Sequence, residues 1–321
     1  MSAASRSLGA RLRAALDDAL WGPETALRLL VVYVGLAALI GVRIAAGSYR
    51  QLADTPAALV EPVPFLWFLD TMPSTEVFVA IQVVGTLAAA AAVVAALLHR
   101  RPQLAFAVAW VCYLVLAGLR GSRGKVLHND LLLLWVSAPF LLAPTIRDVR
   151  DRVPRRHWGW PIRVAIVITA LIYFFAGYHK LRRSGLEWAF GDNMQFLALW
   201  GPSIGGPGWP GLARWVGENA WVARASGVFI LGLELTFPVV VFVRWTRVLY
   251  AAAALVLHAT TWLLLGLDYW AWAIAVPLVL VDWPDVVARA RSRLGRDHAP
   301  APEPASEVPE PAGGAVPSSA G

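Results

Sequence analysis

The chain is poor in lysine, in cysteine and in charge of either sign. Of its 28 Lys and Arg residues, only Lys125 and Lys180 are lysine. Arginine keeps its proton at physiological pH, whereas a desolvated lysine ammonium can release its own. Each lysine of so arginine-rich a chain is therefore a residue to account for. Cys112 is the only cysteine, which excludes an intrachain disulfide, and its apolar neighbours suit a small buried hydrophobe. No Cys/His cluster has metal-ligand spacing, so no metal is expected, and neither a P-loop nor a GxGxxG is present. Charged residues make up 15% of the chain, against about 25% in a soluble domain. The net charge of +7 does not point to nucleic acid, because the charges fall between apolar blocks, where they set topology; no nucleic-acid partner is expected.

Apolar sequence is abundant. The chain is 58% hydrophobic, its mean hydropathy is +0.58, and its apolar blocks run to roughly 17–25 residues, the length that crosses a bilayer as a helix. The expected fold is all-α, a polytopic transmembrane bundle of about eight spans: 25–46, 76–98, 103–119, 128–146, 161–180, 220–243, 247–266 and 268–283. Pro139, Pro238 and Pro277 fall inside spans, which a bundle tolerates when neighbours satisfy the freed carbonyls. Residues 1–24 read as an amphipathic surface segment, since Leu8, Leu12, Leu16 and Leu20 recur every fourth residue. Asp17, Asp18 and Glu24 interrupt what would be a signal peptide. Residues 25–283 form the expected membrane domain, 284–298 a basic segment, and 299–321 a disordered Pro/Ala/Glu tail.

With the N-terminus inside, eighteen arginines fall in inner segments. Seven positive residues fall in outer ones: Arg50, Arg120, Arg123, Lys125, Arg182, Arg183 and Arg214. The bias predicts a multi-pass protein of the cell membrane with both termini cytoplasmic. The outer stretch Arg120–Lys125 breaks the rule with three positive charges and no acid, which suits an anion or lipid headgroups, or a topology fixed by stronger neighbours. The outer segment 181–219 carries Trp188, Trp200, Trp209 and Trp215, and tryptophan favours the bilayer interface, so a surface lid is expected there.

Lys180 ends an apolar helix. Gly177, Ala176, Tyr173 and Thr169 share its face, at spacings of three, four, seven and eleven, and a small, polar face points into a bundle. Lys180 is therefore a candidate general base; as an alternative it is an anchor that snorkels to the headgroups. His128 opens the fourth span, followed by Asn129 and Asp130. It offers a ligand-binding imidazole, or else a helix start with Asn129 or Asp130 as cap. His258, Glu234 and Arg43 lie within spans, where ionisable groups are costly and face a cavity or each other.

The segment Tyr173-Phe174-Phe175-Ala176-Gly177-Tyr178-His179-Lys180-Leu181, followed by Trp188, Gly191 and Met194, resembles the central motif of the vitamin K-dependent γ-glutamyl carboxylase. It also resembles that of the enzyme's bacterial relatives, the horizontally transferred transmembrane domain family, where the motif reads Tyr-Phe-x-Ala-Gly-Leu-Lys-Lys-Leu and then Trp-x-x-Gly. His128 with Asn129 looks like the family's Asn-His pair in reversed order. Gly232–Pro238, which holds Glu234, and His258 with Leu264-Leu265-Gly266 resemble later segments.

The resemblance covers about 25–283. It implies an enzyme that oxidises or epoxidises a reduced naphthoquinone of the vitamin K or menaquinol type with O₂, with Lys180 and His128 catalytic. Its substrate contacts would come from His258, Glu234, Tyr173, Arg43, Asn129 and Trp188. The first lysine of the family pair is His179 here. The chain ends soon after the last expected span, without the carboxylase's large luminal domain, so glutamate carboxylation of proteins is not expected. The implied partners are membrane lipids, the isoprenoid quinol, and a membrane or extracytoplasmic protein. A non-catalytic lipid- or quinone-binding module or scaffold is the competing expectation. A transporter is disfavoured, since no inverted repeat is visible.

Overall fold

Thr25 starts the first long helix by accepting a hydrogen bond from the Arg28 amide at 3.2 Å, and from there most of the described residues are helical. The computed structural model describes residues 3–123, 129–204 and 208–296, and no strand occurs among them. The helices are α1 (Ala3–Trp21), α2 (Ala26–Ala46), α3 (Thr75–Leu97), α4 (Gln103–Gly121), α5 (Leu131–Ser137), α6 (Arg156–Ser184), α7 (Glu187–Phe190), α8 (Asn193–Ile204), α9 (Pro210–Glu218), α10 (Ala220–Thr236), α11 (Val239–Phe242), α12 (Thr246–Leu265), α13 (Trp270–Leu280) and α14 (Trp283–Arg296). The chain divides into two compact units, residues 1–283 and 284–321.

Five of these helices (α2, α3, α4, α6 and α12) are long and apolar enough to cross a membrane, and a sixth is obtained if α13 and α14 count as one broken span. Three of the eight expected spans are shorter or interrupted. The fourth is α5 followed by a 3₁₀ turn, Ala138–Leu142, that contains Pro139. The sixth divides into α10 and α11 just before Pro238. The last has 11 helical residues. Proline at these positions removes a backbone donor and crowds the preceding turn.

Helix ends inside a bundle need partners for their carbonyls, and buried side chains supply them. Arg28 donates to the carbonyls of Val279 and Leu280 at 3.3 and 3.4 Å, at the end of α13. Arg247 donates to Val240 and Val241 at 2.9 and 3.4 Å, in α11. Gln82 donates to Ile44 and Gly47 at 2.8 and 3.1 Å, closing α2. Glu24 ties this scheme together. Its carboxylate meets Arg28 at 2.7 Å and the fully buried Arg163 at 2.7 Å, and its backbone bridges Arg155.

Close packing of α2, α3 and α4 follows from small residues. The buried positions of α3 are Phe78, Gln82, Gly85, Ala89, Ala92 and Ala96, an alternation of four and three that keeps one seam toward its neighbours. Cys112 meets that seam at Gly85, where an added Cβ would lie 2.8 Å from its own, as suits a small packing residue. Segment 181–219 is mostly helical. In it Met194, Ala198, Ala213 and Val216 form a second apolar cluster with Ala223 of α10 and Leu264 of α12.

Candidate functional site

The site begins with one close approach. A Cβ at Gly177 would lie 2.9 Å from the Glu234 Cβ, so the missing side chain lets α6 and α10 come together. Glu234 then stands opposite Lys180, one turn further along α6. The Lys180 Nζ donates to Glu234 Oε1 and forms an ion pair with it, and it lies 4.9 Å from the ring centroid of Trp188, on α7. The Lys180 side chain is 26% exposed and that of Glu234 is 7% exposed. Glu234 Oε2 is buried and has no hydrogen-bond partner among the described residues. A buried pair in low dielectric is costly unless further hydrogen bonds satisfy it, so an incompletely satisfied carboxylate is a point of chemical opportunity.

Two turns deeper on α6, about 10 Å away by helix rise, Tyr173 forms a second polar pair. Its hydroxyl lies 2.5 Å from His258 Nε2 on α12. The Tyr173 ring stacks on Phe237 at 4.0 Å, and His258 stacks on Tyr269 at 5.5 Å. Trp272 meets both Tyr173 and His258 edge-on, at 5.9 and 5.4 Å. These contacts hold the imidazole and phenol in one orientation each.

Trp272 Nε1 donates to the Asn129 carbonyl at 2.7 Å, and Asn129 Nδ2 donates to the Asp268 carbonyl at 2.9 Å. From there the network is ionic. Arg43 Nη1 meets Asp268 Oδ2 at 2.5 Å, and Arg43 Nε and Nη2 meet Asp130 Oδ1 at 3.2 and 3.0 Å. Asp130 also accepts from the Tyr113 hydroxyl at 2.6 Å and from Arg120 at 3.3 Å. Arg120 lies 4.5 Å from the ring centroid of the buried Tyr49, whose phenol burial pushes up to about 12; it is neutral and serves as an aromatic face for the guanidinium.

Of the residues singled out in the sequence, Lys180, Glu234 and Trp188 come together, and Tyr173 and His258 form the neighbouring pair. Arg43 and Asn129 belong to the ionic network. All three guanidinium nitrogens of Arg43 are engaged with carboxylates, which makes it a brace rather than a free ligand donor. Asn129 bonds through its amide group and its carbonyl, and Asp130 makes no side-chain cap at the start of α5, because its carboxylate is turned to Arg43. His128 lies outside the described residues, as does Lys125. Arg123 lines a surface hollow of about 320 Å³ together with Glu61 and Thr55, so an acid accompanies the rule-breaking basic stretch. Asp268 and Tyr113 were not anticipated, and Asp130 was expected only as a helix cap; an arginine within a span needs acidic partners, and that requirement was the signal available. Among the described residues, no group of three His, Cys, Asp or Glu side chains gathers as metal ligands.

Comparison with protein-family models, with curated proteins and with solved structures finds no match.

Proposed function

We propose that the protein is an integral-membrane enzyme that oxidises a reduced naphthoquinone with O₂, with Lys180 as the base. The observation that carries this reading is the junction of Lys180, Glu234 and Trp188 where α6, α10 and α7 meet. A lysine with one foot in solvent contacts a buried carboxylate and lies beside an aromatic face. The eight apolar segments would cross the cell membrane with both termini cytoplasmic, and residues 181–219 would cover the site from outside. The substrate is an isoprenoid quinol that enters from the lipid, and a membrane or extracytoplasmic protein would receive or supply it.

The chemistry asked of Lys180 is acceptance of one phenolic proton, whose ordinary pKa is about 10. The resulting quinolate reacts with O₂, and collapse to the quinone epoxide and water accounts for both oxygen atoms and both quinol hydrogens. For this, Lys180 must be neutral when the quinol arrives. A proton held on the Glu234 carboxyl leaves the amine neutral, whereas a proton on Nζ makes an ion pair and no base. Tyr173 and His258 would orient the ring, and Trp188 offers a face on which it can stack.

The ion pair also favours a second reading, in which Lys180 is a permanently charged anchor and the protein is a non-catalytic lipid- or quinone-binding module. The deciding experiment incubates the purified protein with reduced menaquinone and O₂ and follows products by mass spectrometry. Epoxide formed by wild type and lost in Lys180→Ala supports the enzyme. Quinol bound but returned unchanged supports the module.

A further inference from the structure

We propose that α14 lies flat on an anionic phospholipid surface, with its apolar face among the acyl chains and its arginines on the headgroup phosphates. The proposal is independent of the quinol reading. At 3.6 residues per turn, Trp283, Val286, Val287 and Ala290 share one face of α14, and Leu294 falls at the next position of the same row. Val286 is 41% and Val287 46% exposed, so this apolar face is open at both valines.

The charges are distributed around the apolar face in a particular way. Arg291 and Arg293 occupy positions about 80° to either side of Trp283, at the boundary between apolar and polar faces. At the position of Arg291, an arginine stem runs along the acyl chains while its guanidinium group reaches outward. Arg289 and Arg296 lie further round. The one acid, Asp285, sits near the centre of the polar face, paired with Arg289 at 2.7 Å, and Ser292 lies beside it. Four arginines against one aspartate leave the helix strongly positive. A large amphipathic moment with arginine on the flanks and tryptophan at the entry is the pattern of an interfacial helix. Chain continuity points to lipid rather than to a soluble protein: only Val281 and Asp282 separate the helix from α13, so it is tethered at the end of an apolar segment.

The test uses the full-length chain on a Cys112→Ala background, with a bimane fluorophore attached through either Val287→Cys or Ser292→Cys. Each protein is placed in nanodiscs of phosphatidylcholine with or without phosphatidylglycerol. With phosphatidylglycerol, nitroxide-labelled lipid should quench the 287 label and iodide should not; the 292 label should behave the opposite way. Arg289→Gln, Arg291→Gln and Arg293→Gln combined should abolish the dependence on phosphatidylglycerol, since each charge near such a surface is worth roughly fivefold in affinity. If the triple variant does not fold, the two labels compared in the two lipids still decide. Equal iodide quenching at both positions in anionic discs overturns the proposal. So does a protection of the 287 label that ignores lipid charge and fades as the protein is diluted, which would identify a second copy as the partner.

Discussion

At the scale of single residues, the chain separates two uses of positive charge. Its buried arginines brace the bundle: Arg28 and Arg247 close helix ends, and Arg43 and Arg163 meet buried acids. Lys180 faces a carboxylate whose second oxygen has no partner among the described residues. The difference predicts opposite outcomes for conservative changes. Lys180→Arg keeps the charge but cannot accept a proton, so quinol turnover should fall by about 10²–10⁴, the usual worth of general-base catalysis, with the melting temperature nearly unchanged. Turnover within a few-fold of wild type would identify Lys180 as an anchor. Asp130→Asn, by contrast, leaves Arg43 and Arg120 short of a buried counter-charge. It should cost about 3–5 kcal/mol of stability, read as a lower thermal unfolding midpoint in detergent.

At the scale of elements, the site depends on how closely α6 and α10 approach. Gly177→Leu must displace the Glu234 and Leu235 side chains, since even a Cβ there would meet them at 2.9 and 3.2 Å. Overpacking of this kind costs about 1–3 kcal/mol, and it should separate Lys180 from Glu234. With only two lysines in the chain, the separation is directly readable. Lysine labelled at Nζ gives two nitrogen resonances; the Lys180 signal should shift in Gly177→Leu and in Glu234→Gln, while that of Lys125 should stay. An unchanged Lys180 resonance in both variants would show that the ion pair is not formed in solution. Gly266 has a different task. Its φ of 63° ends α12 in a left-handed turn, with its amide on the Trp262 carbonyl at 2.9 Å. That turn leads directly to Asp268 and Tyr269, which join the Arg43 and His258 contacts.

At the scale of the whole molecule, the open quantity is orientation. The arginine bias predicts that Ser184 and the segment after it are outside and that Ser292 is inside. Single cysteines at these two exposed positions, on the Cys112→Ala background, should divide cleanly in intact cells. Ser184→Cys should react with an impermeant maleimide, and Ser292→Cys should react only after the membrane is opened. The reverse pattern would put Lys180 on the cytoplasmic side and remove the argument for an extracytoplasmic lid.

The helical class and the apolar segments are legible in the amino-acid sequence, because they rest on local signals, hydropathy over about 20 residues and helical spacing; the rarity of lysine there marks Lys180 as a candidate and no more. The prolines marked where the fourth and sixth segments break, but not how the broken ends are satisfied. Arg247, which closes the sixth, comes from the next helix, and Arg28, which closes the last segment at Val279, comes from 251 residues away. Pairings of this kind depend on which helices become neighbours. Glu234 was visible as a buried acid, but its partner was not. Nor could spacing reveal that Tyr173 would meet His258, 85 residues on, or that Arg43 would be held between Asp130 and Asp268. Sequence determined which groups must find partners, since charge in an apolar segment is too costly to leave alone. Only tertiary structure decided which partners they found, because that choice depends on the close approach of helices such as α6 and α10 at Gly177.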